Sequence, residues 1–499
     1  MDNTIVMYSW IFITIFLGAM ILFGWLGMKK THSADDFATA RSSYGPFTIA
    51  LVISAGMSSG STFMGMPGLA YEIGAPSLWY PLLYPIATVI GLLFVAKTIK
   101  KYGDEFGTRT IPEFLGDRFN SEFLRIVLTI ISILLIFYVV SQFVAAATMF
   151  QTIMGIDYKA GLILTGVVLA IYVFMGGSHS DIMTDAVQGF LMLIISLTVV
   201  GVFVFSVGVD GGFGDMLNTI KERNPQGGFD SLFLPGNITY GSFWLVALLF
   251  VAHIPFGILP HLGNKFMAVK SGKDMKKLIM YCTLIATTLP LMGLGGMLGI
   301  AAVGYDASIA PDQIIPVLFS EIFPPILAAL LSVAVLSAIM STSDGLIVSL
   351  TQLLANDIYR KTIVPRTGIT KEKAEKVELL LSRYSTFVVI IAAILMALNP
   401  PKFLSVFMWI GIGGIVSATA GPLVVGALWK RSTRGGAITS LLAGTIVYWV
   451  VYLPFGFDFS NPFGAAGLGV LISMMTMIVY TLTMTPPVTD PKKEGTSFT

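Results

Sequence analysis

The chain has 499 residues, of which 55% are hydrophobic and 12% charged, with a formal net charge of +2 and a mean hydropathy of +0.82. Soluble domains carry roughly 25% charged residues, so the composition excludes an ordinary soluble fold and points to an all-α polytopic membrane protein. No basic stripe with interleaved aromatics suggests a nucleic-acid partner, and the single Cys282 excludes an intrachain disulfide and a multi-cysteine metal site.

A membrane helix needs about 20 apolar residues. Thirteen segments qualify as candidates, at 5–27, 46–70, 78–96, 126–153, 160–174, 185–207, 243–259, 278–303, 314–354, 387–398, 403–429, 436–453 and 465–484. The fifth and tenth are short and the ninth is long. The first lacks a charged leader region and a cleavage site, so it is expected as a retained span. Lys and Arg concentrate around 29–41, 97–118, 265–277, 360–376 and 430–434, with Lys492 and Lys493 in the tail. The alternate loops are poor in both; the long one, 208–242, holds only Lys221 and Arg223. The positive-inside rule then predicts a multi-pass plasma-membrane protein with its N-terminus outside and its C-terminus cytoplasmic. The loop lysines read as topology determinants and solvated surface.

The second span contains "SAGMSSGSTFMGMPG" (54–68). Single small residues in a span usually serve close helix packing. Here Gly56, Ser58, Ser59, Gly60, Ser61 and Thr62 cover all sides of a helix, which predicts a break whose backbone lines a polar cavity. The seventh span, "FWLVALLFVAHIPFGILPHLGNKFMA", is interrupted by Pro255, Gly257 and Pro260. Proline removes a backbone donor and disturbs the preceding turn. Two broken helices at matching positions and of opposite direction point to an inverted-repeat transporter. The expected organisation is a first helix and loop (1–45), a first repeat of five spans (46–208), an extracellular loop (209–242), a second repeat (243–430), two further helices (431–484) and a polar tail (485–499).

The ninth span carries "LSAIMSTSDG". Ala338, Ser341 and Thr342 stand at i, i+3 and i+4 and share a helix face. Their oxygens, with carbonyls freed at Ala55 and Ser58, can supply five ligands to a hard monovalent cation. The plainer alternative is that both hydroxyls bond back to their own helix. Asp344, one turn beyond Ser341, is a carboxylate inside a span and so a functional candidate. Asp185 opens the sixth span, where a carboxylate also suits the helix dipole.

The ordered motifs "MGMPGLAYEIG", "TIPEFLGDRF", "MGG" followed by "TDAVQG", "LPHLGNKFM", "IMSTSDG", "NDIY" and "GPLVVGALWKRSTRGGA" resemble the solute:sodium symporter family. The resemblance covers residues 30 to 450. It implies the leucine-transporter-like 5+5 inverted-repeat fold, with sodium-coupled uptake by alternating access. It carries the family's sodium site onto Ala55, Ser58, Ala338, Ser341 and Thr342. It also implies a possible second cation site at Asp185, where some members add hydroxyls one turn along span nine. Asp344 and Gly345 stand there instead, leaving open a second sodium, a proton or a structural hydrogen bond.

"DQIIPVLFSEIFPP", "NPPKFLSVFMWI" and "MGIDYKAGL" look most similar to the pantothenate and monocarboxylate branch. Proline-transporting members usually have an aspartate where this chain has Met57 and a tryptophan where it has Ala252. A sodium/amino-acid symporter of the proline kind is therefore the alternative. The candidate pocket comprises Ser59, Gly60, Ser61, Tyr138, Gln142, His253 and Phe256. The amides at Ser59 to Ser61 suit a carboxylate, because half-helix N-termini attract anions. Tyr138 and Gln142 also suit a helix–helix hydrogen bond, and His253 a satisfied core position. A membrane enzyme would need a nucleophile–base pair or a metal cage, and a sensor would need an appended domain; the motifs supply neither. The expected partners are a small-molecule solute, sodium and the lipid bilayer, with no obligatory protein partner.

Overall fold

The structure is a computed structural model that describes residues 3–223, 231–399, 404–453 and 461–484. The tail 485–499, with Lys492 and Lys493, lies outside the described residues, as does most of the "NPPK" and "PFGFDFSNPFG" loops. Among the described residues, ten helices are long and apolar enough to cross a membrane, and two bent pairs, Pro46–Met57 with Ser61–Ile73 and Phe243–Ile258 with Pro260–Ala268, bring the total to twelve. Apolar side chains such as Trp244 (75% exposed) and Phe243 (64%) point outward, as lipid-facing positions must.

The thirteenth span comes from Tyr158–Val204, a run of 47 residues that is interrupted at Gly177 (φ 53, ψ −133). The Tyr172 hydroxyl and the Thr184 Oγ1 both donate to Asp344 Oδ2, at 3.0 and 3.3 Å. Twelve residues of continuous helix rise about 18 Å, further than these two side chains span. The chain therefore folds back at Gly177, separating the fifth and sixth spans. A Cβ there would lie 2.6 Å from the Phe37 ring, so both the left-handed φ and the close approach require glycine.

Three expected boundaries shift. The ninth span starts at Pro325, because Phe323 and Pro324 leave the helical region and set off Ile314–Ile322 as a separate helix. The tenth runs over Lys371–Ala397; its first half is charged, so hydropathy registered only the second. The seventh does not end at residue 259. Pro260, at the first position of a new half-helix where its missing N–H is harmless, carries it on to Ala268.

The two breaks bend their spans by 59° and 42°. Their ends meet in a short parallel bridge in which Tyr44 N–H donates to Ala268 C=O and Lys270 N–H to Tyr44 C=O, each at 2.9 Å. The lysine- and arginine-rich face is closed by ion pairs. Arg109 holds Asp35 (3.3 Å) and Glu378 (2.5 Å), Arg41 holds Asp35 (2.9 Å), and Lys361 holds Glu113 (2.5 Å). Thr110 caps the helix Ile111–Arg118 and also donates to Asp357. Burial pushes the Asp35 carboxyl up, but Arg41 and Arg109 outweigh it and hold the group below the usual carboxylate range. The basic residues are thus less solvated than expected: Lys100 is buried, donating to Ser42, Asp104 and the Met267 carbonyl.

Candidate functional site

The helix Pro46–Met57 stops because Ser58 turns extended (φ −105, ψ 92), and Ser58 N–H folds back to the Ala55 and Ser54 carbonyls. The second half restarts with the wide π-helical turn Ser61–Gly65, a distortion often found at functional sites. Across this break runs the ninth span. Thr342 Oγ1 lies 3.4 Å from the Ala55 carbonyl and 3.5 Å from that of Ala338. Both distances are long for an O–H···O bond. Ala55, Ser58, Ala338, Ser341 and Thr342 are all fully buried. The Thr342 hydroxyl thus converges with the Ala55 and Ala338 carbonyls. Ser341 differs, since its hydroxyl donates to Asp185 Oδ1.

Asp185 is not a terminal carboxylate in a loop-facing position. It sits inside the returning half of the hairpin, fully buried. Its carboxylate, that of Asp344 and that of Asp181 each offer an oxygen within 4.8 Å of the others. Lys265 pairs with two of them, with Nζ 2.5 Å from Asp185 Oδ2 and 3.1 Å from Asp181 Oδ1. Asp344 is held by Tyr172, by Thr184 and by the Gly345 N–H at 2.8 Å. Removing one partner from such a buried ion pair costs about 3–5 kcal/mol. Lys265 was expected in a solvated loop. The structure corrects this because Pro260–Ala268 turns inward and brings the lysine with it.

The solute candidates gather at the two breaks. Gly60 N–H donates to Gln142 Oε1 at 2.8 Å, and Ser61 N–H to Ser59 Oγ at 3.2 Å. The half-helix amides expected to stand free for an anion are therefore engaged, with the Gln142 carbonyl where an anion's oxygen would lie. Tyr138 and Gln142 do not bond to each other: Gln142 Nε2 donates to Ser141 Oγ at 3.0 Å. The Tyr138 hydroxyl lies near Ser59 without a hydrogen bond of normal geometry, and the Ser61 hydroxyl is likewise buried without a partner among the described residues. His253 Nδ1–H donates to the Leu249 carbonyl at 2.7 Å. A carbonyl only accepts, so in the neutral ring Nε2 is an acceptor, and it too has no protein partner.

Aromatic rings surround His253. Trp409 lies 4.5 Å from it between centroids, Tyr80 5.2 Å, Tyr84 5.5 Å and Phe256 5.7 Å. Trp409 Nε1–H donates to the Tyr80 hydroxyl at 3.2 Å, and Tyr84 OH lies 3.4 Å from Ser58 Oγ. Tyr84 thus links the solute candidates to the sodium candidates. Sequence reasoning missed Tyr80, Tyr84, Trp409, Tyr172, Thr184, Asp181 and Lys265. For Asp181 and Lys265 a signal existed: carboxylates inside spans demand a cationic or hydrogen-bonding partner. For the aromatics there was none, since 12% of the chain is Phe, Trp or Tyr.

Residues 37–444 match the Sodium:solute symporter family. Among curated relatives, the osmoregulated proline transporter OpuE of Bacillus subtilis is 29% identical, with 87% of each chain aligned. The high-affinity proline transporter PutP of the same organism is 31% identical over 86% of this chain and 89% of its own. The sodium/pantothenate symporter of Haemophilus influenzae is 27% identical over 87% of each. These identities do not single out the pantothenate branch. Among solved structures, a Na+-coupled sialic acid symporter in a substrate-bound outward-open state superposes with a TM-score of 0.78 at 19% identity, covering 96% of this chain and 98% of its own. Mhp1, a nucleobase-cation-symport-1 family transporter, gives 0.59 at 14% identity, covering 93% and 98%. Both likenesses are to the overall fold. The chain belongs to the sodium:solute symporter family and is a transporter, not an enzyme.

Proposed function

We propose that this protein imports a small organic carboxylate, of the pantothenate or monocarboxylate kind, together with sodium. The observation that carries the ion assignment is the convergence of the Thr342 hydroxyl with the Ala55 and Ala338 carbonyls across the first break. Sodium there bridges spans two and nine, with Ser58 and Ser341 completing the oxygen set. The inward sodium gradient then drives accumulation, with the lysine-rich face cytoplasmic.

The solute assignment rests on Tyr138, Ser61 and His253. Two unpartnered hydroxyls are donors for a carboxylate, and the His253 Nε2 lone pair accepts from a hydroxyl or amide N–H on the cargo. A carboxylate oxygen that displaces Gln142 from the Gly60 N–H meets the positive end of a half-helix. Met57 is buried in the break and offers no charge to a secondary ammonium. A proline-like amino acid is the second reading, favoured by the identities to OpuE and PutP.

The test is uptake into proteoliposomes of labelled pantothenate, short monocarboxylates and proline, each with a sodium gradient or with choline. Sodium-dependent accumulation of a carboxylate supports the proposal. Accumulation of proline alone replaces it with the second reading. Uptake driven equally by a proton gradient without sodium rejects the ion assignment. A thermal-shift screen of carboxylates, amino acids and vitamins complements this, because a ligand of the folded form raises its melting temperature.

A further inference from the structure

We propose that Lys265 is a tethered cation that occupies the place of a second transported ion, and that it thereby limits co-transport to one sodium per solute. The inference rests on the sodium-symport reading above and adds a stoichiometry to it.

Four observations converge. The Lys265 ammonium pairs with two of three clustered buried carboxylates, 2.5 Å from Asp185 and 3.1 Å from Asp181. Next, Gly345 leaves the space that the ammonium needs: a Cβ there would stand 3.1 Å from Lys265 Nζ and 3.2 Å from Asp181 Oδ1. A side chain at 345 would therefore crowd the ammonium, which would have to give by a few tenths of an ångström. Third, the oxygens of the cage are already committed. Asp344 accepts from Tyr172, Thr184 and Gly345, and Asp185 accepts from Lys265 and Ser341. Finally, the cavity left beside Asp181, His261, Lys265 and Gly345 has room for about one water molecule. That is too little for an ion that brings its own hydration.

The arrangement also explains how a fixed charge reaches the mobile one. Asp185 bridges Lys265 to Ser341, and Ser341 is a proposed ligand of the transported sodium. The lysine holds the carboxylate, and the carboxylate orients the hydroxyl. The positive charge that stabilises this cage stays with the protein through every cycle. Lys265 is thus a positioning residue for Ser341 as well as a substitute ion.

The experiment measures sodium moved per solute in proteoliposomes, from the sodium gradient at which net solute flux reverses at a fixed solute gradient and zero membrane potential. The wild-type ratio is expected to be about one, with a sodium Hill coefficient of about 1, since that coefficient is bounded by the number of interacting sites. A ratio of two overturns the proposal. In Lys265→Met, and more so with Gly345→Ser added, sodium takes the vacated position. Activation then becomes sigmoidal with a Hill coefficient approaching about 2. Unchanged hyperbolic activation in folded Lys265→Met counts against the proposal. Should that variant not fold, Lys265→Arg keeps the charge and should keep the ratio at one; a ratio of two there also overturns it. Loss of all sodium dependence in the wild type would instead defeat the symport reading itself.

Discussion

The two halves of the candidate site are opposites. On the sodium side, between spans two, five, six, seven and nine, the polar groups are charged and closely paired: Asp181, Asp185 and Asp344 against Lys265, Tyr172 and Thr184. On the solute side, around His253, no residue of the candidate pocket carries a formal charge, and the hydroxyls of Ser61 and Tyr138 and the Nε2 of His253 have no protein partner. A buried group without a partner costs about 1–3 kcal/mol. The paired region therefore holds its geometry through its own bonds, whereas the unpaired one gains from a ligand. One half is built to persist and the other to be completed.

Substitutions can break that contrast. The largest effect is expected from Asp185→Ala, which leaves Lys265 with Asp181 alone and strips Ser341 of its acceptor. A loss of about 3–5 kcal/mol should appear as a marked fall in melting temperature in detergent. A shift of under about 0.5 kcal/mol would mean the cage is not structural. Next comes Thr342→Ala, which removes one converging oxygen. The half-saturating sodium concentration should rise about ten-fold, as expected for about 1.4 kcal/mol, with melting temperature little changed. Unaltered sodium dependence in folded protein would remove Thr342 from the ion site.

Tyr138→Phe sharpens the comparison from the other side. Its hydroxyl makes no hydrogen bond of normal geometry among the described residues, so stability should change by less than about 0.5 kcal/mol. Solute affinity should weaken by about three- to ten-fold. A large loss of stability with no change in solute affinity would identify the hydroxyl as a core group. The smallest effect belongs to Asp35, at the closed lysine-rich face. Its folded pKa is depressed, so its contribution is present above the ordinary carboxylate pKa and is lost as pH falls through the lowered value. Wild type should exceed Asp35→Asn by about 0.5 kcal/mol at neutral pH, and the gap should close below about pH 4. A gap that persists at pH 3 would place the stabilisation elsewhere.

Much of this architecture was legible. Consecutive small and hydroxylated residues at 56–62 mark the first break because nothing in lipid can satisfy their backbone. Pro255 and Pro260 mark the second. The i, i+3, i+4 spacing of Ala338, Ser341 and Thr342 pointed to the Thr342 hydroxyl that meets Ala55, but not to the Ser341 bond to Asp185. What stayed hidden depends on chain direction after a break. Pro260 read as one of three interruptions of the seventh span, yet it opens a half-helix that buries Lys265. "MGGSHSD" read as a loop, yet Gly177 turns the chain so tightly that Asp181 and Thr184 are already inside the protein. Hydropathy measures how oily a segment is, not which way it heads next, so neither turn could be read from it. The Gln142 bond to Gly60 was hidden for another reason, since a contact across 82 residues leaves no local pattern.

Trp409 gives the molecule a built-in optical gauge. Its indole is fully buried, stacked 5.9 Å from Phe256 and set against His253. Cargo that reaches the His253 acceptor alters the polarity and quenching felt by that one indole, while Trp10 and Trp244 face the surroundings. Emission recorded during a titration, with Trp409→Phe as the blank, would register solute arrival without a label and before any transport has occurred.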